Sequence, residues 1–220
     1  MRLSPSLFAA DPLAWGGALD AVGPHADSWH FDVMDGRFAP AHGLNEAQFL
    51  AVKASSAHPI EVHLMTETPG DWPLRYARMG AALVAVHGET IDAPADLLNA
   101  LRNAGARAFL AYEPDTSVDL IRRQAVHADG VLLLTAPQGG GAFREPALQR
   151  AADLPPGLPK IVDGGIGPEH FDFCRAHAVE TVVVGRALFG RADPRARAGE
   201  LSSLARRVRR QTAGSPSGLA

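Results

Sequence analysis

LVAVH at residues 83–87, GVLLLT at 130–135 and TVVVG at 181–185 are apolar along nearly their whole length. Runs this short, rich in β-branched residues and bounded by turn residues, read as strands buried on both faces, with helices over one face and a packed interior behind the other. Working outward from them, the same kind of run recurs, giving strands at 3–8, 28–33, 60–65, 83–87, 108–112, 130–134, 160–163 and 181–184. Their spacing is mostly about 25 residues, room for one strand, one helix and two short loops. The segments between them carry helix signals. Asp11 and Pro12 cap and open LAWGGALDAV, Gly167 and Pro168 open EHFDFCRAHA, and ADLLNALRNAG stops at Gly105. Eight strands alternating with eight helices predict an α/β chain folded as a (β/α)8 TIM barrel. The expected division is one catalytic domain over 1–210, with 211–220 as a disordered tail. An open doubly wound sheet is the rival, but it calls for a glycine-rich nucleotide turn after the first strand, and FAADP stands there instead.

Composition narrows the function classes. Lysine plus arginine (21) nearly balance aspartate plus glutamate (24), which gives no reason to expect a nucleic acid or an anionic membrane as partner. The arginines of RRVRRQ near the C-terminus lack interleaved aromatics and read as the solvent-facing end of a last helix. The opening run MRLSPSLFAADPLAW is broken by Pro5, Asp11 and Pro12, so neither a signal peptide nor a membrane span is expected. The lone Cys174 excludes an intramolecular disulfide and fits a reducing, cytoplasmic setting, where it reads as a buried structural thiol.

In such a barrel the chemistry sits at the C-terminal ends of the strands, so polar residues that finish apolar runs are the informative ones. They are Ser6; His30, Asp32 and Asp35; Glu61 and His63; His87; Tyr112 and Glu113; Thr135; Asp163; and Gly185 with Arg186. His30 and Asp32, two apart, face the same way. With His63 and Asp163 they supply two imidazoles and two carboxylates, a ligand set for one first-row divalent metal with room for exchangeable ligands. As unrelated polar residues of a loop layer, each would need no further role. Three glycine-rich loops share the rim: PQGGGAF, containing Gly139, Gly140 and Gly141; DGGIGP, containing Gly164 and Gly165; and the turn at Gly185. Bare backbone N–H groups there suit a small anion, and Arg186 adds a cationic fork, although glycines after strands also serve plain tight turns.

Five stretches carry a family resemblance: SPSLFAAD (4–11), HFDVMDGRFAP (30–40), EVHLM (61–65), VDGGI (162–166) and VVGRALFG (183–190). In this order they resemble the ribulose-phosphate 3-epimerase family over nearly the whole chain. The resemblance implies that His30, Asp32, His63 and Asp163 hold one divalent metal, with zinc, iron, manganese and cobalt not distinguished, and that no organic cofactor is needed. It implies that Asp32 and Asp163 also exchange the substrate proton from opposite faces. Ser6 would lie near the substrate hydroxyls, Met34 and Met65 would line the cavity at the reacting carbon, and Gly164, Gly165 and Gly185 would belong to a phosphate cradle. It further implies a homo-oligomer acting on a phosphorylated ketose, D-ribulose 5-phosphate/D-xylulose 5-phosphate or a close relative.

The chemistry fits such a set. Inverting a carbon beside a ketone means removing its proton, holding an enediolate and returning a proton to the other face. Departures cluster at the binding half. Glu113 stands where the family usually has asparagine, Leu134 takes the place of a third cavity methionine, the loop around Gln138 is shortened, a family asparagine is replaced around Ala41 and His42, and Arg186 replaces a small serine. A tetrulose or hexulose phosphate or an unphosphorylated ketose therefore stays open as substrate, as do a related lyase or isomerase reaction and a catalytically silent sugar-phosphate-binding barrel. Glu113, if it faced the cavity, would bind a sugar hydroxyl or Arg186.

Overall fold

The computed structural model describes residues 1–207. The tail expected at 211–220 lies outside the described residues. Eight parallel strands form one sheet: β1 (Arg2–Pro5), β2 (Trp29–Met34), β3 (Ile60–Met65), β4 (Leu83–His87), β5 (Arg107–Tyr112), β6 (Gly130–Leu134), β7 (Lys160–Asp163) and β8 (Thr181–Val184). From β2 to β8 each strand pairs with the next in sequence, and β8 pairs with β1. The remaining seam, between β1 and β2, is held by a parallel bridge between Ser6 and His30 and by Asp27. The Asp27 amide donates to the Leu3 carbonyl at 2.9 Å, and its carboxylate accepts from the Leu3 amide at 2.8 Å. The sheet thus closes as the (β/α)8 barrel that the strand spacing predicts.

Alternation along the strands decides what faces inward. Leu83 and Ala85 of β4, Phe109 and Ala111 of β5, Leu132 and Leu134 of β6, Ile161 of β7 and Val183 of β8 fill the barrel. The intervening Val84, Leu110, Val131, Leu133, Val162 and Val182 pack against the helices in a larger outer core. Each fully buried Leu or Val contributes about 1.5–3 kcal/mol, which is why these strands read as continuous apolar runs. Gly130 opens β6 because the Phe109 ring fills the floor beside it. A Cβ at 130 would meet Phe109 Cζ at 2.4 Å.

The N-terminal end of the barrel is closed by charge. Glu61 shares the inward face of His63 but lies one layer lower, where it accepts from the Ser4 hydroxyl at 3.0 Å and pairs with Arg2 at 3.5 Å. Glu180 binds Arg107 through both guanidinium NH2 groups and lies 3.6 Å from Arg2. Glu61 is therefore removed from the set of rim residues.

The outer layer comprises α1 (Trp15–Val22), α2 (Glu46–Ser55), α3 (Trp72–Arg78), α4 (Pro94–Asn103), α5 (Val118–Ala125), α6 (Glu145–Asp153), α7 (Phe171–Ala176), α8 (Arg186–Phe189) and α9 (Pro194–Arg206). Two details depart from the expected pattern. The first strand ends at Pro5 rather than at 8, because the chain turns over the rim in a 3-10 turn, Leu7–Ala9, with the Ala9 amide donating to Ser6 O. After β8 there are two helices, since Gly190 and the Asp193-Pro194 cap break the last segment into a single turn and a long helix. Cys174 is buried in α7, where burial pushes its thiol up to about 12, the inert state expected of a structural cysteine. Among the described residues no helix is long and apolar enough to cross a membrane.

Candidate metal and substrate site

Inward alternation delivers His30 and Asp32 from β2, His63 from β3 and Asp163 from the end of β7 to one point at the C-terminal rim. One ligand-type atom from each lies within 4.8 Å of all the others. The register pairs Asp32 directly with His63. Asp32 Oδ1 stands 3.1 Å from His30 Nε2 and 3.6 Å from His63 Nδ1, and Asp163 Oδ2 stands 3.4 and 3.6 Å from the same two nitrogens. The other Asp32 oxygen accepts a 2.7 Å hydrogen bond from Ser6, which fixes the carboxylate's rotation.

These contacts are close but poorly directed. His30 Nε2 and His63 Nδ1 are buried, and neither has a hydrogen-bond partner of acceptable geometry. Two orphaned imidazole nitrogens facing two carboxylates describe a cage whose natural filling is a dication. Two neutral histidines and two carboxylates carry a charge of −2, and mixed N/O donors suit first-row metals. The cluster can therefore coordinate a divalent metal. Without one, burial opposes charge on His30, but Asp32 and Asp163 outweigh it and raise its pKa well above the ordinary value. His63 is raised in the same way. Burial likewise opposes ionisation of the two aspartates, yet the imidazoles, His30 foremost, hold Asp32 well below the usual carboxylate range and lower Asp163 too.

Above the cluster opens a cavity of about 550 Å³. Asp32 and Asp163 reach its floor, and Ser6, Met34, Met65 and Leu134 form its lower wall. Gly139, Gly140, Gly141, Gly164, Gly165, Gly185 and Arg186 form its rim. His30 and His63 lie beneath, almost wholly buried. The structure thus brings His30, Asp32, His63, Asp163, Ser6, Met34, Met65, the six rim glycines and Arg186 to one cavity or directly below it. Arg186 Nη2 donates to the Gly141 carbonyl at 2.9 Å, tying the loop after β6 to the first turn of α8.

Glu113 behaves otherwise. It neither lines the cavity nor meets Arg186; its Oε1 points to His87 Nδ1 at 3.5 Å. Burial and the neighbouring Glu89 push its carboxyl up to about 7. His87 itself shares the inward face of Leu83 and Ala85, and its Nε2 meets His63 Nε2 at 3.0 Å. Sequence reasoning put His87 at the rim but assigned it nothing, although its position two residues past Ala85 on the inward face was the available signal. Glu89, one turn further on, escaped notice altogether.

Among proteins of known function, the chain is 32% identical to ribulose-phosphate 3-epimerase from Mycobacterium leprae (strain TN), over 93% of its own length and 98% of that protein's. It is 30% identical to ribulose-phosphate 3-epimerase from Aquifex aeolicus (strain VF5), over 92% and 96% of the two chains. The crystal structure of a 3-hexulose-6-phosphate synthase superposes with a TM-score of 0.71 at 22% identity, covering 93% of this chain and 99% of the other, a likeness of fold. Residues 2–189 match the ribulose-phosphate 3-epimerase family model, a span holding all eight strands and the whole His/Asp cluster. This chain belongs to the ribulose-phosphate 3-epimerase family.

Proposed function

We propose that the protein is a metal-dependent epimerase that inverts the carbon next to the ketone of a ketose phosphate, D-ribulose 5-phosphate or a close relative. One observation carries this reading: two carboxylates, Asp32 and Asp163, approach the same two imidazoles from different strands and both reach the cavity floor. One side chain on a rigid barrel cannot serve both faces of a carbon, whereas two acids held on different strands can. One abstracts the proton, the other delivers a proton to the opposite face, and the roles reverse with the substrate epimer. Ser6 holds Asp32 in place for that exchange through the 2.7 Å hydrogen bond. A divalent ion held by His30, Asp32, His63 and Asp163 would supply Lewis acidity, polarising the ketone and offsetting charge that develops on oxygen. Met34, Met65 and Leu134 offer no proton and exclude water from the reacting carbon, so reprotonation is left to the carboxylates.

The remote anion falls to the glycine rim and Arg186. Having spent one donor on Gly141, the guanidinium keeps others for a phosphate. Arg186→Ala is expected to raise KM about 10- to 100-fold, the loss of a charge-assisted contact, while kcat changes far less. Steady-state kinetics on the preferred ketose check this, and an unchanged KM removes Arg186 from the anion site.

The reaction itself is tested by incubating metal-reconstituted protein in deuterium oxide with tetrulose, pentulose and hexulose phosphates and their free sugars, followed by NMR. Deuterium should appear at the carbon beside the ketone as its configuration scrambles, without carbon–carbon cleavage. Metal-replete protein that exchanges deuterium into none of these ketoses would overturn the proposal.

A further inference from the structure

Beneath the cavity the hydrogen bonds leave little freedom about where protons sit. Glu89 Oε1 accepts from the Glu113 amide at 2.8 Å and from the Thr116 hydroxyl, which pins this carboxylate. Its Oε2 faces His87 Nδ1 at 3.2 Å, and Glu113 Oε1 stands 3.5 Å from the same nitrogen. An ionised carboxylate only accepts, so His87 must carry its proton on Nδ1. The other nitrogen, Nε2, is then a bare acceptor, 3.0 Å from His63 Nε2. A hydrogen bond there requires a proton on His63 Nε2, which leaves Nδ1 as the nitrogen that can offer its lone pair to a metal. That nitrogen is buried and partnerless, 3.6 Å from both Asp32 Oδ1 and Asp163 Oδ2. A lone pair has nothing to exchange with two carboxylate oxygens unless a cation lies among them. Phe38 packs against His87 with ring centroids 4.5 Å apart, which holds the ring in this orientation.

We infer that His87 and Glu89 form a two-step positioning relay that fixes His63 in the tautomer whose Nδ1 lone pair faces the His/Asp cluster. The inference rests on the metal-centre reading above and extends it to two residues that touch neither metal nor substrate. A metal-bound imidazole is commonly oriented by a single acceptor on its other nitrogen; here a second imidazole stands between the ligand and the carboxylate. The relay transmits the pinned geometry of the loop after β4 to a ligand on β3.

Two measurements test it. In metal-free protein labelled with 15N-histidine, long-range proton–nitrogen correlation at neutral pH should show His87 protonated on Nδ1, against the Nε2 preference of free histidine; an Nε2-protonated His87 would sink the relay. Zinc affinity, read by competition with a chromogenic chelator, should fall about 10- to 100-fold in His87→Phe, which keeps an aromatic ring against Phe38 but cannot accept. His87→Gln, whose amide oxygen can accept from His63 while its nitrogen donates to Glu89, should stay near wild type. Wild-type affinity in His87→Phe, or equal losses in both variants, would overturn the inference while leaving the metal centre standing. A wild type that takes up no zinc overturns the metal-centre reading and the relay with it.

Discussion

Asp163→Asn is expected to reduce epimerisation at least about 10³-fold, since general acid–base catalysis by one positioned group contributes roughly 10²–10⁴-fold and this residue also belongs to the cation cage. The amide keeps the shape and one oxygen, which Thr135 does not hold; Thr135 binds the backbone carbonyl of residue 163 instead, so the strand end should stay in place. Two readouts separate loss of the acid from loss of the ion. Metal content measured in the same sample reports the cage. Deuterium exchange with each epimer supplied singly reports the acid, because Asp32 remains able to take a proton from its own face. A metal-replete variant should therefore wash deuterium into one epimer without inverting it, and should leave the other untouched. A metal-replete variant that epimerises within tenfold of wild type would remove Asp163 from proton transfer.

Gly164→Ala is expected to be the most damaging small substitution at the rim. Gly164 has φ +108°, a conformation that L side chains rarely adopt, and a Cβ there would lie 2.6 Å from the backbone nitrogen of Ala136. Backbone strain of this kind costs about 1–3 kcal/mol, and the clash cannot be relieved by rotating a side chain. The neighbourhood is tightly laced. The Thr135 amide donates to Asp163 O at 2.7 Å, and its hydroxyl contacts Asp163 O at 2.9 Å and Gly164 O at 2.6 Å. Pushing Ala136 away pulls on the residue that carries the Asp163 carboxylate. A total loss of roughly 2–4 kcal/mol should lower Tm by about 5–15 °C for a chain of this size, with activity falling further than stability alone explains. A calorimetric Tm unchanged from wild type would mean that the rim yields more easily than its hydrogen bonds imply.

What the sequence made legible follows from one periodicity. Alternation told which side chains of each strand face inward, and so placed His30, Asp32, His63 and Asp163 together before any coordinates. Alternation does not give depth along the barrel axis. Glu61 and His63 share a face, yet one closes the floor and the other lies just under the cavity, because depth is set by the register between neighbouring strands. Nor does it give a direction for residues beyond a strand's end. Glu113, one residue past β5, turns toward His87 because Arg150 holds its carbonyl at 2.6 Å and Glu89 holds its amide at 2.8 Å, both long-range contacts. The split of the last segment into α8 and α9 was readable in principle from Gly190 and Pro194, but the expectation of one helix per strand obscured it.

The ion pairs among Arg2, Glu61, Arg107 and Glu180 hold the barrel from the end opposite the cavity. Scaffold and selectivity are thereby entrusted to separate layers of one molecule. Whole rim segments around positions 138–141 and 186 should accept grafts from related sugar-phosphate barrels, so that a new specificity could be installed without refashioning the foundation beneath it.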